Sequence, residues 1–211
     1  MLNIARFVFN PFRENTYVVW DGTGEGAIVD PGNNFEKEHT ALIDFINSKN
    51  ILPKVVVATH GHYDHVCGAG VLKERFGIPF ALSSTDEYVY STSLFDGSRY
   101  QFSFEQVPYE IDLAAQAPVT FGQTSFKVLL TPGHTLGGVS LYCEQARVLF
   151  TGDTLMCGTV GRTDLKCGDW PTLHQSIVSQ ILPLPDEVEI YPGHGPQSTV
   201  GYERTSNSFL I

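Results

Sequence analysis

The chain has 211 residues, of which 42% are hydrophobic and 12% aromatic; this suits one domain with a sizeable core and excludes a disordered chain. Its formal charge is −10 with histidines neutral, and no run of Lys or Arg occurs, which disfavours nucleic acid as a partner because phosphates need a basic path. No window approaches the roughly 18 apolar residues of a membrane span. The opening "MLNIARFVFNPFREN" lacks the basic start and apolar stretch of a signal peptide. Cys67, Cys143, Cys157 and Cys167 show no C-x-x-C spacing, and reduced packing thiols in a cytoplasmic protein are expected.

In chain order, "NIARFVF", "TYVVW" and "GAIVD" read as three opening strands divided by turn residues. "NFEKEHTALIDFINSKN" reads as a helix with Ala41, Leu42, Phe45 and Ile46 on one face, ending near Asn50. "KVVVAT" is a buried strand, and "GVLKERFG" a short helix stopped by Gly77 and Pro79. Helices are expected around 84–92 and 104–116. A second run of strands follows: "PVTF", "SFKVLL", "VSLYC" and "RVLF". "DWPTLHQSIVSQIL" reads as a helix with Pro171 in its first turn, and "EVEIY" as a last strand. Strands in two batches, each followed by helix, predict an α/β fold of two sheets covered outside by helices.

The chemistry sits where the strands end. "KVVVAT" runs into His60-Gly-His62-Tyr-Asp64-His65, "SFKVLLT" into Pro-Gly-His134, "RVLFT" into Gly-Asp153 and "EVEIY" into Pro-Gly-His194. Neighbouring strands end side by side, so these groups can meet at one sheet rim, where ligand sites of α/β folds lie. Neutral imidazole and carboxylate are donors for zinc, iron or manganese. Five histidines and two aspartates exceed one tetrahedral ion and suit two ions sharing a carboxylate. By contrast, His39 and His174 stand alone and are expected as hydrogen-bonded loop or core residues.

"THGHYDH", "TPGHT", "FTGDT" and "YPGHG" together resemble the metallo-β-lactamase superfamily, whose T-H-x-H-x-D-H motif is matched in full. The matches run from about residue 15 to 209. Within the superfamily, "GRTD" and "YPGHGPQSTVGYER" resemble the short glyoxalase II-like (hydroxyacylglutathione hydrolase-like) hydrolases. True β-lactamases differ: they place Arg or another residue where His65 stands, and a metal-binding Cys where this chain has Asp153. The resemblance implies a four-layer αββα sandwich over 1–211, without the C-terminal helical domain of longer glyoxalase II enzymes. It also implies two divalent ions, zinc with iron or manganese as alternatives. His60, His62 and His134 would hold one ion, Asp64, His65 and His194 the other. Asp153 would bridge, which makes Asp64 and Asp153 the candidate catalytic residues.

Two such ions lower the pKa of water from about 15.7 toward 7 and polarise a carbonyl. A thiol of pKa about 8.5 leaves unaided more readily than an amine, so thioesters, then lactones, are the expected substrates, S-lactoylglutathione foremost by resemblance. The expected partner is thus a small-molecule thioester, with no nucleic acid and no membrane. Arg162 is a candidate anchor for a substrate carboxylate or an internal partner of Asp164. Asp30 either orients a ligand histidine from behind or forms a turn before Pro-Gly. Thr59 and Thr135 complete turns, and Tyr63 is expected as a pocket wall. A persulfide dioxygenase of the same fold, holding one iron through His60, His134 and Asp153, is the nearest alternative. A lactonase, a nuclease and a non-catalytic metal-binding scaffold are others.

Overall fold

The computed structural model describes residues 1–102 and 104–211. β-Branched and aromatic runs make two six-stranded sheets. The first holds β1 (Asn3–Phe9), β2 (Glu14–Trp20), β3 (Glu25–Val29), β4 (Leu52–Val57), β5 (Phe80–Leu82) and β6 (Ile111–Asp112) in sequential order. The second contains β7 (Val119–Phe121), β8 (Thr124–Leu130), β9 (Val139–Cys143), β10 (Val148–Gly152), β13 (Glu189–Pro192) and β14 (Ser198–Thr199). Its spatial order is β14-β13-β10-β9-β8-β7. A small hairpin, β11 (Leu155–Met156) with β12 (Thr159–Val160), follows β10.

Parallel pairs need crossovers, and helices supply them. The helix α1 (Glu36–Ser48) joins β3 to β4, and α2 (Tyr63–Val66) with α3 (Ala69–Phe76) joins β4 to β5. α4 (Glu87–Ser98) precedes β6. α5 (Trp170–Ser176) runs on through a wider turn at Ile177–Ile181 and joins β10 to β13, and α6 (Val200–Ser206) closes the chain.

Three apolar layers result. Tyr17, Val29 and Val57 of the first sheet meet Phe126, Leu141 and Phe150 of the second. Outside the first sheet, Ile28, Val56 and Phe80 pack on Leu42, Ile46 and Leu72 of the helices. Outside the second, Leu149 and Ile190 pack on Leu173, Ile177 and Ile181. Because both faces of β9 and β10 are covered, all ten of their residues are buried rather than alternating. The expected αββα layering is the observed one.

Three local expectations are corrected. Residues 104–116 form no α-helix: irregular chain leads into β6, which pairs with β5, and a single 3-10 turn follows at Leu113–Ala115. Pro108 cannot donate in a helix interior, and Tyr90 clamps the segment, its hydroxyl donating to Val107 O at 2.7 Å and accepting from Val107 N–H at 3.0 Å. The helix expected at 84–92 begins as a 3-10 turn at Ser84–Asp86 and extends to Ser98. On α1, Ala41 is exposed; Leu42 and Ile46 carry the buried stripe.

Candidate metal centre

Five strand ends deliver the chemistry to one rim. β3 ends at Asp30, β4 leads to His60 and His62, β8 to His134, β10 to Asp153 and β13 to His194. Asp64 and His65 ride on the single turn of α2 that follows His62. The turn after β8 lies close against α5: Gly133 has φ +130°, and a Cβ there would collide with the Leu173 backbone, so this turn toward His134 requires glycine.

All seven side chains singled out from the sequence come together. The donor atoms of His60, His62 and His134 form one group within 4.8 Å of one another, and those of Asp64, His65 and His194 a second. Asp153 lies between them, with Oδ1 3.5 Å from His65 Nε2 and Oδ2 3.6 Å from both His134 Nε2 and His194 Nε2. Across the second group, His194 Nε2 is 3.3 Å from Asp64 Oδ2 and 3.3 Å from His65 Nε2.

Hydrogen bonds behind the rings fix which nitrogen faces inward. A carbonyl can only accept, so His134 Nδ1–H donates to Arg162 O at 2.7 Å and His194 Nδ1–H to Phe12 O at 3.2 Å. Each then presents Nε2 to the centre. Thr59 spends its hydroxyl proton on Asp30 Oδ2 at 2.9 Å, so its oxygen accepts from His60 Nδ1–H at 3.1 Å. His60 Nε2 is thereby left as a bare acceptor, buried with no hydrogen-bond partner, as is Asp153 Oδ1. His134 Nε2, left as an acceptor, and His62 Nδ1 approach to 3.0 Å. Buried, unprotonated acceptors crowded around one point fit divalent cations.

The charges agree. Burial and the neighbouring imidazoles hold His60 well below its ordinary pKa, and burial with His134 beside it lowers His62 to about 3. Burial also works against protonated His65, yet Asp153, Asp64 and Asp30 outweigh it and raise its pKa. Asp64 and Asp153 stay ionised despite burial because His65 and His194 face them.

Asp30 serves both readings made from sequence. It takes the left-handed φ of 50° at the turn, accepts from Thr59 N–H at 2.7 Å, and places Oδ2 3.2 Å from His65 Nδ1. Thr59 therefore does more than complete a turn. Arg162 donates from Nε and Nη2 to Asp164, both at 2.8 Å; its backbone carbonyl, not its guanidinium, touches the centre. Tyr63 packs on Phe12 and Phe102 with ring centroids 5.6 and 4.9 Å away, as a wall. Of the lone histidines, His39 Nδ1 sits 2.7 Å from Asn33 Nδ2 and belongs to none of the centre's donor groups.

Two residues escaped the sequence reading. Asp86 is fully buried and accepts from Gly61 N–H at 2.6 Å and Gly137 N–H at 2.8 Å, tying the loop of His60 to that of His134. Ahead of a helix it reads as an N-cap, which hides this use. Glu14, also fully buried, lies with Asp30 behind His65 and accepts from Thr16 Oγ1 at 2.8 Å. Nothing in the pattern of β2 marks it.

A family model described as the metallo-beta-lactamase superfamily matches residues 9–194. The chain belongs to that superfamily. At this level it is a metallo-hydrolase whose family binds divalent metal ions. It is 34% identical to a Haemophilus influenzae protein named hydroxyacylglutathione hydrolase GloC, covering 99% of this chain and 98% of the relative. Among solved structures it resembles one named BLEG-1 B3 metallo-beta-lactamase, with TM-score 0.91, 33% identity, and 99% and 100% of the two chains covered. It also resembles TTHA1623 in a di-iron-bound form, with TM-score 0.86, 32% identity, and 98% and 100% covered. Among the described residues no helix of this superfamily member is long and apolar enough to cross a membrane.

Proposed function

We propose that this protein hydrolyses thioesters at a two-metal centre, with S-2-hydroxyacylglutathiones such as S-lactoylglutathione as substrates and glutathione and a 2-hydroxy acid as products. The observation that carries this reading is Asp153 within 3.5–3.6 Å of histidines from both donor groups. His60, His62 and His134 would hold one ion and Asp64, His65 and His194 the other, with Asp153 shared; the donor set suits zinc. Bound there, divalent cations acidify water and polarise a carbonyl oxygen.

The chain's own part is preorganisation. Arg162 O, Phe12 O and the Thr59–Asp30 pair fix ring orientation before substrate arrives, so little rearrangement is needed at the moment of reaction. Ionised Asp64 and Asp153 hold two negative charges in a buried site, which would offset the charge of divalent cations held there. Neither the seven donors nor Thr59 and Asp30 behind them offer a separate acid for an amine. A thiol of pKa about 8.5 departs without one, which favours thioesters over amides. The name of the Haemophilus relative supports the same class.

The test is metal analysis of purified protein combined with assays on S-lactoylglutathione, a β-lactam and a glutathione persulfide. Two ions per chain with thioester turnover is the expected result. One iron per chain with oxygen uptake on the persulfide would overturn the reading, as would β-lactam turnover exceeding that of the thioester.

A further inference from the structure

The space immediately behind the donor cluster, between Thr59, His60, His134 and Asp153, holds only about 10 Å³. No substrate body can lie inward. Beside His62, however, a cleft of about 470 Å³ opens between α4 and the loop carrying Leu165 and Lys166, which is within the usual size of small-molecule sites. Its floor is buried Val89 and Ser93 of α4, and its wall is Tyr63, Tyr88 and Tyr100.

Its charged residues are Arg99, Lys166 and Asp96. Lys166 Nζ stands 4.2 Å from the Tyr88 ring centroid, and the Arg99 guanidinium 5.0 Å from that of Phe95. Two cations and one anion face the cleft, in a chain whose formal charge is −10. Glutathione carries the complement: two carboxylates and one ammonium on a short peptide whose amide planes suit tyrosine faces.

Resting on the thioesterase reading, we infer that this α4 cleft seats the glutathione arm of the substrate, with Lys166 and Arg99 recognising its carboxylates and Asp96 its ammonium. The thioester carbon is then presented beside His62, and the acyl group, small and uncharged when it is lactoyl, makes no demand on the cleft. Lys166, Arg99 and Asp96 are specificity-determining residues; none is a candidate metal ligand.

The experiment has two readouts on the metal-loaded protein. Titration with S-methylglutathione, a thioether that cannot be hydrolysed, is expected to show binding that weakens about fivefold in Lys166→Glu and in Arg99→Glu, and weakens with added salt. In kinetics, KM for S-lactoylglutathione rises by a similar factor with kcat little changed, while the lactoyl thioester of uncharged N-acetylcysteamine is handled as by the parent. Unaltered S-methylglutathione affinity in both variants overturns the inference even if hydrolysis persists, as does an equal effect on the two thioesters. Absent hydrolysis with charge-dependent binding retained would instead overturn the thioesterase reading alone.

Discussion

The Asp86 carboxylate and the Gly61 N–H meet at 2.6 Å in a fully buried hydrogen bond, and the second oxygen of Asp86 takes Gly137 N–H at 2.8 Å. One side chain thus links the His60–His62 loop, which follows the first sheet, to the His134 loop, which follows the second. Asp86→Ala strips two buried donors at once and is expected to cost about 2–4 kcal/mol of stability, read by urea unfolding. Asp86→Asn keeps one acceptor and should cost less. Equal stability of the alanine variant and the parent would show that water replaces the clamp.

The relay Asp30–Thr59–His60 gives a second expectation. Removing an orienting carboxylate behind a metal-bound histidine typically weakens metal affinity 10–100-fold. Asp30→Ala should do so here, measured by competition with a chromophoric chelator. His60→Ala removes a donor outright and should abolish most turnover; full activity in that variant would refute the assignment of the centre.

Gly193 gives a third. A Cβ at this position would overlap Asp153 Oδ1 and lie 2.6 Å from His65 Cε1. Both are candidate donors that cannot yield without leaving the centre. Gly193→Ala is expected to lower bound metal per chain while the circular-dichroism spectrum stays that of the parent. Parental metal content would mean that the rim gives way more easily than its packing implies.

Metal retention should depend on pH. Burial opposes protonation of His65 and His194, but Asp153 and Asp64 prevail and raise both above the ordinary imidazole range. A cation must displace these protons, so affinity rises with pH and falls on acidification. Dialysis against chelator at about pH 5.5 should empty the centre faster than at about pH 8.5. A pH-independent rate would contradict this.

Far from the rim, Asp21 at the end of β2 accepts from Thr23 N–H at 2.9 Å, Gln123 N–H at 2.7 Å and Thr124 Oγ1 at 3.0 Å, joining the two sheets. Burial disfavours its charge, but these bonds win and hold its pKa at about 2. A carboxylate depressed in the folded state stabilises above its unfolded value of about 3.9 and loses that contribution as pH falls through the folded value. Asp21→Asn should therefore melt below the parent at neutral pH, with the two curves converging near pH 2. A constant difference across that range would assign the effect to shape rather than charge.

Much was legible in the chain itself. Short β-branched and apolar runs gave most strands, and Gly77 and Pro79 marked the end of α3, because backbone geometry and burial act over a few residues. The histidines and aspartates after four strand ends were legible because neighbouring strands of a sheet finish on one rim. Hence His134, Asp153 and His194, which follow three strands of the second sheet, were bound to lie near one another, while His60 after β4 of the first sheet joins them through the packing of the two sheets. The sequence determined the residue types, the strand-end placement and the layering.

Tertiary structure alone decided the rest. The fate of 104–116 depended on Tyr90 and β5, distant in sequence. The role of Asp86, and which nitrogen His134 and His194 turn inward, depended on partners 25 to 182 residues away, such as Phe12 O for His194 and Gly61 and Gly137 for Asp86. The cleft beside His62 likewise exists only because α4 and the Leu165–Lys166 loop are folded against each other. Hydrogen bonds and desolvation act through space over a few ångströms, and no local pattern in a chain records which remote group will occupy that distance.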